Sequence, residues 1–78
     1  MKTKEAYRQE LPNLEFRLEL ARDLGAALLD MPDAFDTIEK KHTFEARLAK
    51  EQPDLYRGIA ALEGRLYSIL IDGYPNYN

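Results

Sequence analysis

The sequence predicts an all-α protein, an antiparallel three-helix bundle, from three features. Apolar residues recur at spacings of three and four through three long segments. Prolines at positions 32 and 53 separate those segments, and acidic residues beside them suit helix N-caps. No stretch alternates long enough to make a strand, and no internal repeat is visible. We therefore expect a single helical domain over residues 1–78, with helices at about 13–30, 34–51 and 54–72.

The first helix is predicted to begin near Pro12. Asn13 directly follows that proline and is the expected N-cap of a helix running to about Asp30. Residues Thr3 to Leu11 are expected to form a short helical turn before it. The sequence thus predicts a brief N-terminal turn followed by one long helix.

Two apolar stripes run along this first helix on a helical wheel. The expected core face consists of Leu14, Leu18, Ala21, Gly25, Leu28 and Leu29. A second stripe beside it contains Phe16, Leu20, Leu24, Ala27 and Met31. A narrow acidic strip lies opposite, formed by Glu15, Glu19, Asp23 and Asp30. Arg17 separates the two stripes and is expected to extend outward or to meet a carboxylate. The first helix therefore has more apolar surface than one neighbouring helix can cover.

The second helix is predicted at 34–51, with two rival N-caps. The residues from Asp36 to Glu39 have the spacing of a capping box, and Asp33 is the alternative cap. The segment is poorly amphipathic: one side carries Phe35, Ile38, Ala46 and Ala49, and another carries Phe44 and Leu48. This helix is expected to cover the other two only partially.

The third helix is predicted to start at Pro53 and to end before Gly73, a natural left-handed C-cap. Its seam has the spacing of an antiparallel bundle and contains Leu55, Ile59, Leu62, Leu66 and Ile69. A second stripe contains Tyr56, Ala60, Tyr67 and Ile71. The C-terminal tail, residues 74–78, carries Tyr74 and Tyr77, either of which could fold back over a stripe. From these patterns we predict buried positions at Leu18, Leu28, Ile59, Leu62, Leu66 and Ile69.

Composition restricts the classes of protein. With 0 Cys, disulfides and cysteine-based metal or nucleophile sites are excluded. Charged residues interrupt every apolar run, so neither a signal peptide nor a membrane span is expected, and a cytoplasmic protein is the default. The net charge of −3 is spread along the chain, which argues against a nucleic-acid binder and against a nucleic-acid mimic.

One motif has metal-ligand spacing. Glu39 and His42 form a Glu-x-x-His pair, the spacing found in di-iron helical bundles. With a single histidine, only a symmetric dimer donating the pair twice could build such a site, helped by Glu15 or Glu19. A metal-binding dimer is therefore one alternative interpretation, and an ordinary surface pair is the simpler one.

The second helix is also locally basic, through Lys40, Lys41, His42, Arg47 and Lys50. A nucleic-acid-binding regulator would place such a helix in a groove, but Glu39, Glu45 and Glu51 dilute its charge. A solvated face is the better interpretation, and the regulator is the second alternative.

Catalytic residues are scarce, so neither an enzyme nor a cofactor is predicted. The chain has one histidine, one serine at Ser68 and no glycine-rich phosphate loop. The sequence instead favours a small binding, adaptor or regulatory protein, alone or as a homodimer, whose partner is another protein or a second copy. The predicted partner-binding residues are Phe16, Leu20, Leu24, Tyr56, Tyr67 and Ile71.

Overall fold

Four α-helices make up the regular structure of residues 2–75, the part of the chain that the computed structural model describes. They are α1 (Lys4–Arg8), α2 (Leu11–Leu28), α3 (Ile38–Glu51) and α4 (Pro53–Asp72). No strand occurs in this range, and the three longer helices pack against each other. The predicted all-α class and three-helix bundle are confirmed.

The N-terminal turn forms as α1, but α2 begins earlier than predicted. Thr3 caps α1, its hydroxyl oxygen accepting from the Ala6 N–H at 3.2 Å. Asn13 is not the cap of α2, because Glu10 already has helical backbone angles and Pro12 lies inside the first turn. Proline is tolerated there since the first N–H groups of a helix have no intrahelical acceptor. The Asn13 prediction was therefore wrong by three residues, nearly a full turn.

At the end of α2, the structure corrects the prediction that Leu28 is buried. Leu28 is 53% exposed, whereas Leu29, the C-cap, is 4% exposed and lies in the core. An Arg47 N–H group donates to the Leu29 carbonyl oxygen at 3.3 Å, which ties α3 to this helix end. Leu28 was predicted to be buried, but the chain turns after it and brings its neighbour inward instead.

The segment between α2 and α3 is a series of turns, so the predicted start at residue 34 was early. Thr37 has extended backbone angles and caps α3, its hydroxyl oxygen accepting from the Lys40 N–H at 3.1 Å. Neither Asp33 nor Asp36 is the cap. Asp33 forms an ion pair with the Lys40 ammonium at 2.7 Å. Ala34 in these turns is completely buried, so the connection itself contributes to the core.

Both ends of α4 follow the predicted signals. Pro53 is the first helical residue, and Gly73 has the left-handed φ of 81° that ends a helix. The Gly73 N–H donates to the Ile69 carbonyl oxygen at 2.9 Å. The Lys4 side chain lies 3.0 Å from where a Cβ of Gly73 would be, so α1 covers this end of α4.

The hydrophobic core lies between α4 and the helices packed around it. Its buried members are Leu14, Leu18, Leu29, Ala34, Phe44, Leu48, Ile59, Leu66 and Ile69. Gly25 allows α2 and α3 to approach closely, because a Cβ there would lie 3.0 Å from Phe44 Cζ and 3.1 Å from Leu48 Cδ1. Phe44 and Leu48 therefore form the inner face of α3.

Four of the six residues predicted to be buried are buried as expected. They are Leu18, Ile59, Leu66 and Ile69. Leu62 is only half-buried, because it borders a side of α4 where Gly58 has no neighbouring atoms within 4 Å of a built Cβ. The prediction for Leu62 was thus wrong in degree, and the prediction for Leu28 was wrong outright.

Glu10 ties the N-terminal region to α4. Its carboxylate accepts from Lys2 Nζ at 2.9 Å and from Arg65 Nε and Nη2 at 2.9 and 2.8 Å. These hydrogen bonds, from Lys2 first and then from Arg65, lower the pKa of Glu10. The Tyr7 ring lies beside the same cations, with Lys2 Nζ 5.4 Å and Arg65 Cζ 5.8 Å from its centroid. The ionised form of Glu10 therefore stabilises the fold.

This arrangement predicts a pH dependence. Because the folded-state pKa of Glu10 lies below its ordinary value, its contribution is present above that value and is lost as pH falls through the folded-state pKa. We expect Glu10→Gln to reduce the free energy of unfolding by up to about 1 kcal/mol near neutral pH, and by less in acid. Denaturant titrations at several pH values measure this. Glu5→Gln is the control, since Glu5 makes no ion pair within residues 2–75. Equal pH profiles for the parent and Glu10→Gln would contradict the prediction.

Candidate functional site

A row of large apolar side chains lies on the solvent side of α2. We call Phe16, Leu20, Leu24 and Leu28 the outer row; their exposed fractions are 58%, 52%, 52% and 53%. The four residues are spaced by four, so each is shifted by about 40° from the last and the row winds slowly around the helix. The row keeps Phe16, Leu20 and Leu24 of the predicted second stripe and adds Leu28, whereas Met31 of that stripe packs against the core.

The fold leaves the outer row exposed because the neighbours of α2 lie on its other side. Leu18 is 3% exposed and belongs to the core. Leu20 is two residues away, and at about 100° per residue the two side chains point in nearly opposite directions. Arg17, also exposed, extends into solvent beside this row. No second apolar layer covers the row within the described residues.

The predicted residues of α4 separate into two places. Tyr67 and Ile71 are 48% and 80% exposed, and Leu70 between them is 54% exposed. Tyr56 lies about 16 Å from Tyr67 along the helix axis, at 1.5 Å per residue. It borders a small cavity under the Arg22–Glu63 ion pair, between α3 and α4. Tyr56 therefore does not share a surface with Tyr67.

A groove runs between α2 and α4, and its acidic residues lie next to the outer row on the surface of α2. Glu15, Glu19 and Asp23 of α2 form one wall, and Tyr67 of α4 lies on the other. Leu18 and Leu66 form its floor, and Phe35 and Lys41 close one end. We call this the acidic groove. The structure thus places an acidic strip opposite Tyr67, above an apolar floor.

The C-terminal tail is described only as far as residue 75. Tyr74 packs edge-on against Tyr7 of α1, with the ring centroids 5.7 Å apart. Lys4 Nζ lies 5.4 Å from the Tyr74 centroid. Tyr74 therefore covers the junction of α1 with α4, and neither the outer row nor Tyr67. The alternative contact through Tyr77 lies outside the described residues.

Glu39 and His42, the candidate metal ligands, are both exposed on α3. Within residues 2–75, no three or more histidine, aspartate or glutamate side chains come together in a group that could hold a metal ion. A metal site would need ligands from a second molecule, as the sequence analysis required.

The basic residues of α3 are partly engaged by neighbouring carboxylates. Hydrogen bonding to Asp33 raises the pKa of Lys40, and hydrogen bonding to Glu51 raises the pKa of Arg47. Arg47 Nε and Glu51 lie 2.9 Å apart. These pairs reduce the positive charge that α3 presents to solvent, which weakens the case for a nucleic-acid surface.

Sequence reasoning missed Leu70 and the position of the acidic strip. Leu70 follows Leu66 by four residues and was not among the predicted partner-binding residues, yet it is 54% exposed. The strip was read as a solvent face, whereas the structure makes Glu15, Glu19 and Asp23 one wall of a groove. A helical wheel shows how residues are arranged around one helix, and it cannot show which residues of a neighbouring helix face them.

Comparisons with known proteins add no relationship. The chain matches no family model, no curated protein sequence and no solved structure at a significant level. Among the described helices, none combines the length and the apolar character needed to cross a bilayer. The surfaces described above are therefore the basis for a functional proposal.

Proposed function

We propose that this protein is a non-catalytic protein-interaction module whose main contact surface is the outer row of α2. The observation that carries the proposal is the exposure of four large apolar side chains on one side of one helix, each above 50%. Scattered apolar residues are normal on protein surfaces, but a continuous row of this kind is typical of an interface. The row spans about 18 Å at 1.5 Å per residue, which suits contact with another helix.

A second copy of the chain is the partner that the row fits most simply. In a two-fold contact the same surface serves both subunits, so one row covers the other and no further sequence is needed. The predicted homodimer would thus remove both rows from water in a single interface. Three i, i+4 steps give each row the regular spacing that ridge-to-groove helix packing requires.

The expected dimer is weak. Burying a whole Leu or Phe side chain contributes about 1.5–3 kcal/mol, so burying a half-exposed one contributes roughly 1 kcal/mol. Two rows together then contribute roughly 8 kcal/mol, which lies within the range of about 4–15 kcal/mol that association costs. The solution mass must therefore be measured over a wide concentration series.

We expect the mass of the parent protein to rise from monomer toward dimer with concentration, and Leu20→Glu to remain monomeric throughout. A carboxylate cannot be buried in an apolar contact without a large cost, whereas at half-exposed Leu20 it leaves the monomer folded. Analytical ultracentrifugation gives the mass, and circular dichroism verifies that helicity is retained.

Ile38→Glu is the matched control, because Ile38 is 74% exposed but lies on α3. We expect this variant to associate like the parent. A parent that stays monomeric at every concentration, or equal weakening by both variants, would contradict the outer row as a self-association surface.

A further inference from the structure

The acidic groove carries charge that the chain itself does not neutralise. Glu15, Glu19 and Asp23 make no ion pair with any residue from 2 to 75. Of the two cations at the groove, Arg22 is engaged by Glu63 and Lys41 lies at the closed end. The α2 wall is therefore a line of three carboxylates open to a cationic partner.

The opposite wall of the groove carries the Tyr67 ring, which is 48% exposed. Leu70 and Ile71, 54% and 80% exposed, follow it on α4 beyond the residues that line the groove. Phe35, 43% exposed, adds an aromatic ring at the closed end, where it packs edge-on against Phe44 at 5.1 Å. A ligand in the groove would thus meet carboxylates on one side and apolar surface on the other.

The spacing of the carboxylates fits a helix. Glu15, Glu19 and Asp23 are four residues apart, so successive carboxylates are separated by about 6 Å along the axis. Lysines or arginines at i, i+4 and i+8 of a helix lying beside α2 have the same spacing. The apolar side of that helix would then lie toward Tyr67 and Leu70.

We propose that the acidic groove binds a basic amphipathic helix of a partner protein. The helix places its Lys or Arg row against Glu15, Glu19 and Asp23 and its apolar row against the exposed end of α4. This mode is the helix-in-groove type of peptide recognition, with electrostatic complementarity setting orientation and partner choice. Its carboxylates flank the outer row on α2 but are different residues with a different requirement for charge, so each proposal can fail without the other.

A second copy of this chain does not supply such a helix. The most basic helix is α3, but its apolar residues Phe44 and Leu48 are in the core. Its Lys40 and Arg47 are paired with Asp33 and Glu51 of the same chain. The groove is therefore assigned to a different protein.

The test uses a synthetic helical peptide with leucine and lysine at amphipathic spacing, labelled for fluorescence anisotropy, and a twin with glutamate in place of lysine. We expect the lysine peptide to bind the parent protein saturably and more weakly as salt is raised, because the contact is partly electrostatic. We expect the glutamate peptide not to bind. Failure of the lysine peptide to bind, or equal binding by its twin, would overturn the proposal.

Charge-reversed variants test whether the lysine peptide binds at the acidic groove. Glu19→Lys should raise the Kd for the lysine peptide by at least about tenfold, since it replaces an attraction by a repulsion within the groove. Glu5→Lys changes the net charge equally on α1 and should leave the Kd within about twofold of the parent. Equal effects of the two variants would show nonspecific attraction to an acidic protein and would overturn the proposal.

Two further results separate this inference from the proposed dimer. Leu20→Glu, which should abolish self-association, is expected to bind the lysine peptide at least as tightly as the parent does. If Leu20→Glu instead abolishes binding of the lysine peptide together with self-association, the peptide occupies the outer row and the proposal is wrong.

Discussion

Leu66→Ala is expected to destabilise the protein by about 2–5 kcal/mol, the range measured for truncating a buried leucine. Leu66 is 5% exposed and lies in the core between α2 and α4. A domain this small seldom derives more than roughly 3–5 kcal/mol from its core, so the loss approaches the total stability. We expect a variant that is largely unfolded at 37 °C by circular dichroism, or one with a greatly lowered melting temperature.

Leu70→Ala is the matched control for this truncation. It removes the same atoms one turn further along α4, but Leu70 is 54% exposed. The change should therefore alter the free energy of unfolding by no more than about 0.5 kcal/mol, as is usual for surface substitutions. Equal melting temperatures for the two variants would show that Leu66 is not a core residue.

Gly25→Leu is expected to produce the second large loss, about 1–3 kcal/mol or more, by overpacking the contact between α2 and α3. A Cβ at this position would already lie 3.0 Å from Phe44 Cζ and 3.1 Å from Leu48 Cδ1. Those two side chains are 2% and 1% exposed, so an added side chain at Gly25 pushes into the packed core. Denaturant titration should show a lower midpoint, or loss of the cooperative transition.

Gly58→Leu makes the same substitution at a glycine on an uncovered side of α4. No atom lies within 4 Å of a Cβ built at Gly58, so a side chain fits there. Leucine also favours the helix over glycine by about 1 kcal/mol. This variant should be as stable as the parent or more stable. If Gly25→Leu also retained full stability, the close approach of α3 to α2 would be wrong.

The outer row and the acidic groove were only partly foreseeable. Periodicity grouped Phe16, Leu20 and Leu24 on one stripe, and the structure leaves all three more than half exposed. The same reasoning grouped Tyr56 with Tyr67, although the two lie on different parts of α4. A wheel reports angle around one helix, and it contains no information on where along that helix a neighbour ends. Contact of these residues with a partner stays a prediction.

Local signals in the sequence determined the helical class and both ends of α4. Pro53 and Gly73 delimit α4 as predicted, because a missing N–H and a left-handed φ act on the residues immediately around them. Thr37 replaced the predicted aspartate cap, since both side chains can accept the same hydrogen bond and only the backbone conformation selects one.

Only the tertiary structure decided which apolar residues are buried. Leu28 and Leu29 are adjacent leucines, yet one is exposed and the other is in the core, because the chain turns between α2 and α3 at that point. Phe44 and Leu48 became the inner face of α3 because Gly25 admits them beside α2. Burial depends on how helices distant in sequence are oriented, and the periodicity within one helix does not specify that orientation.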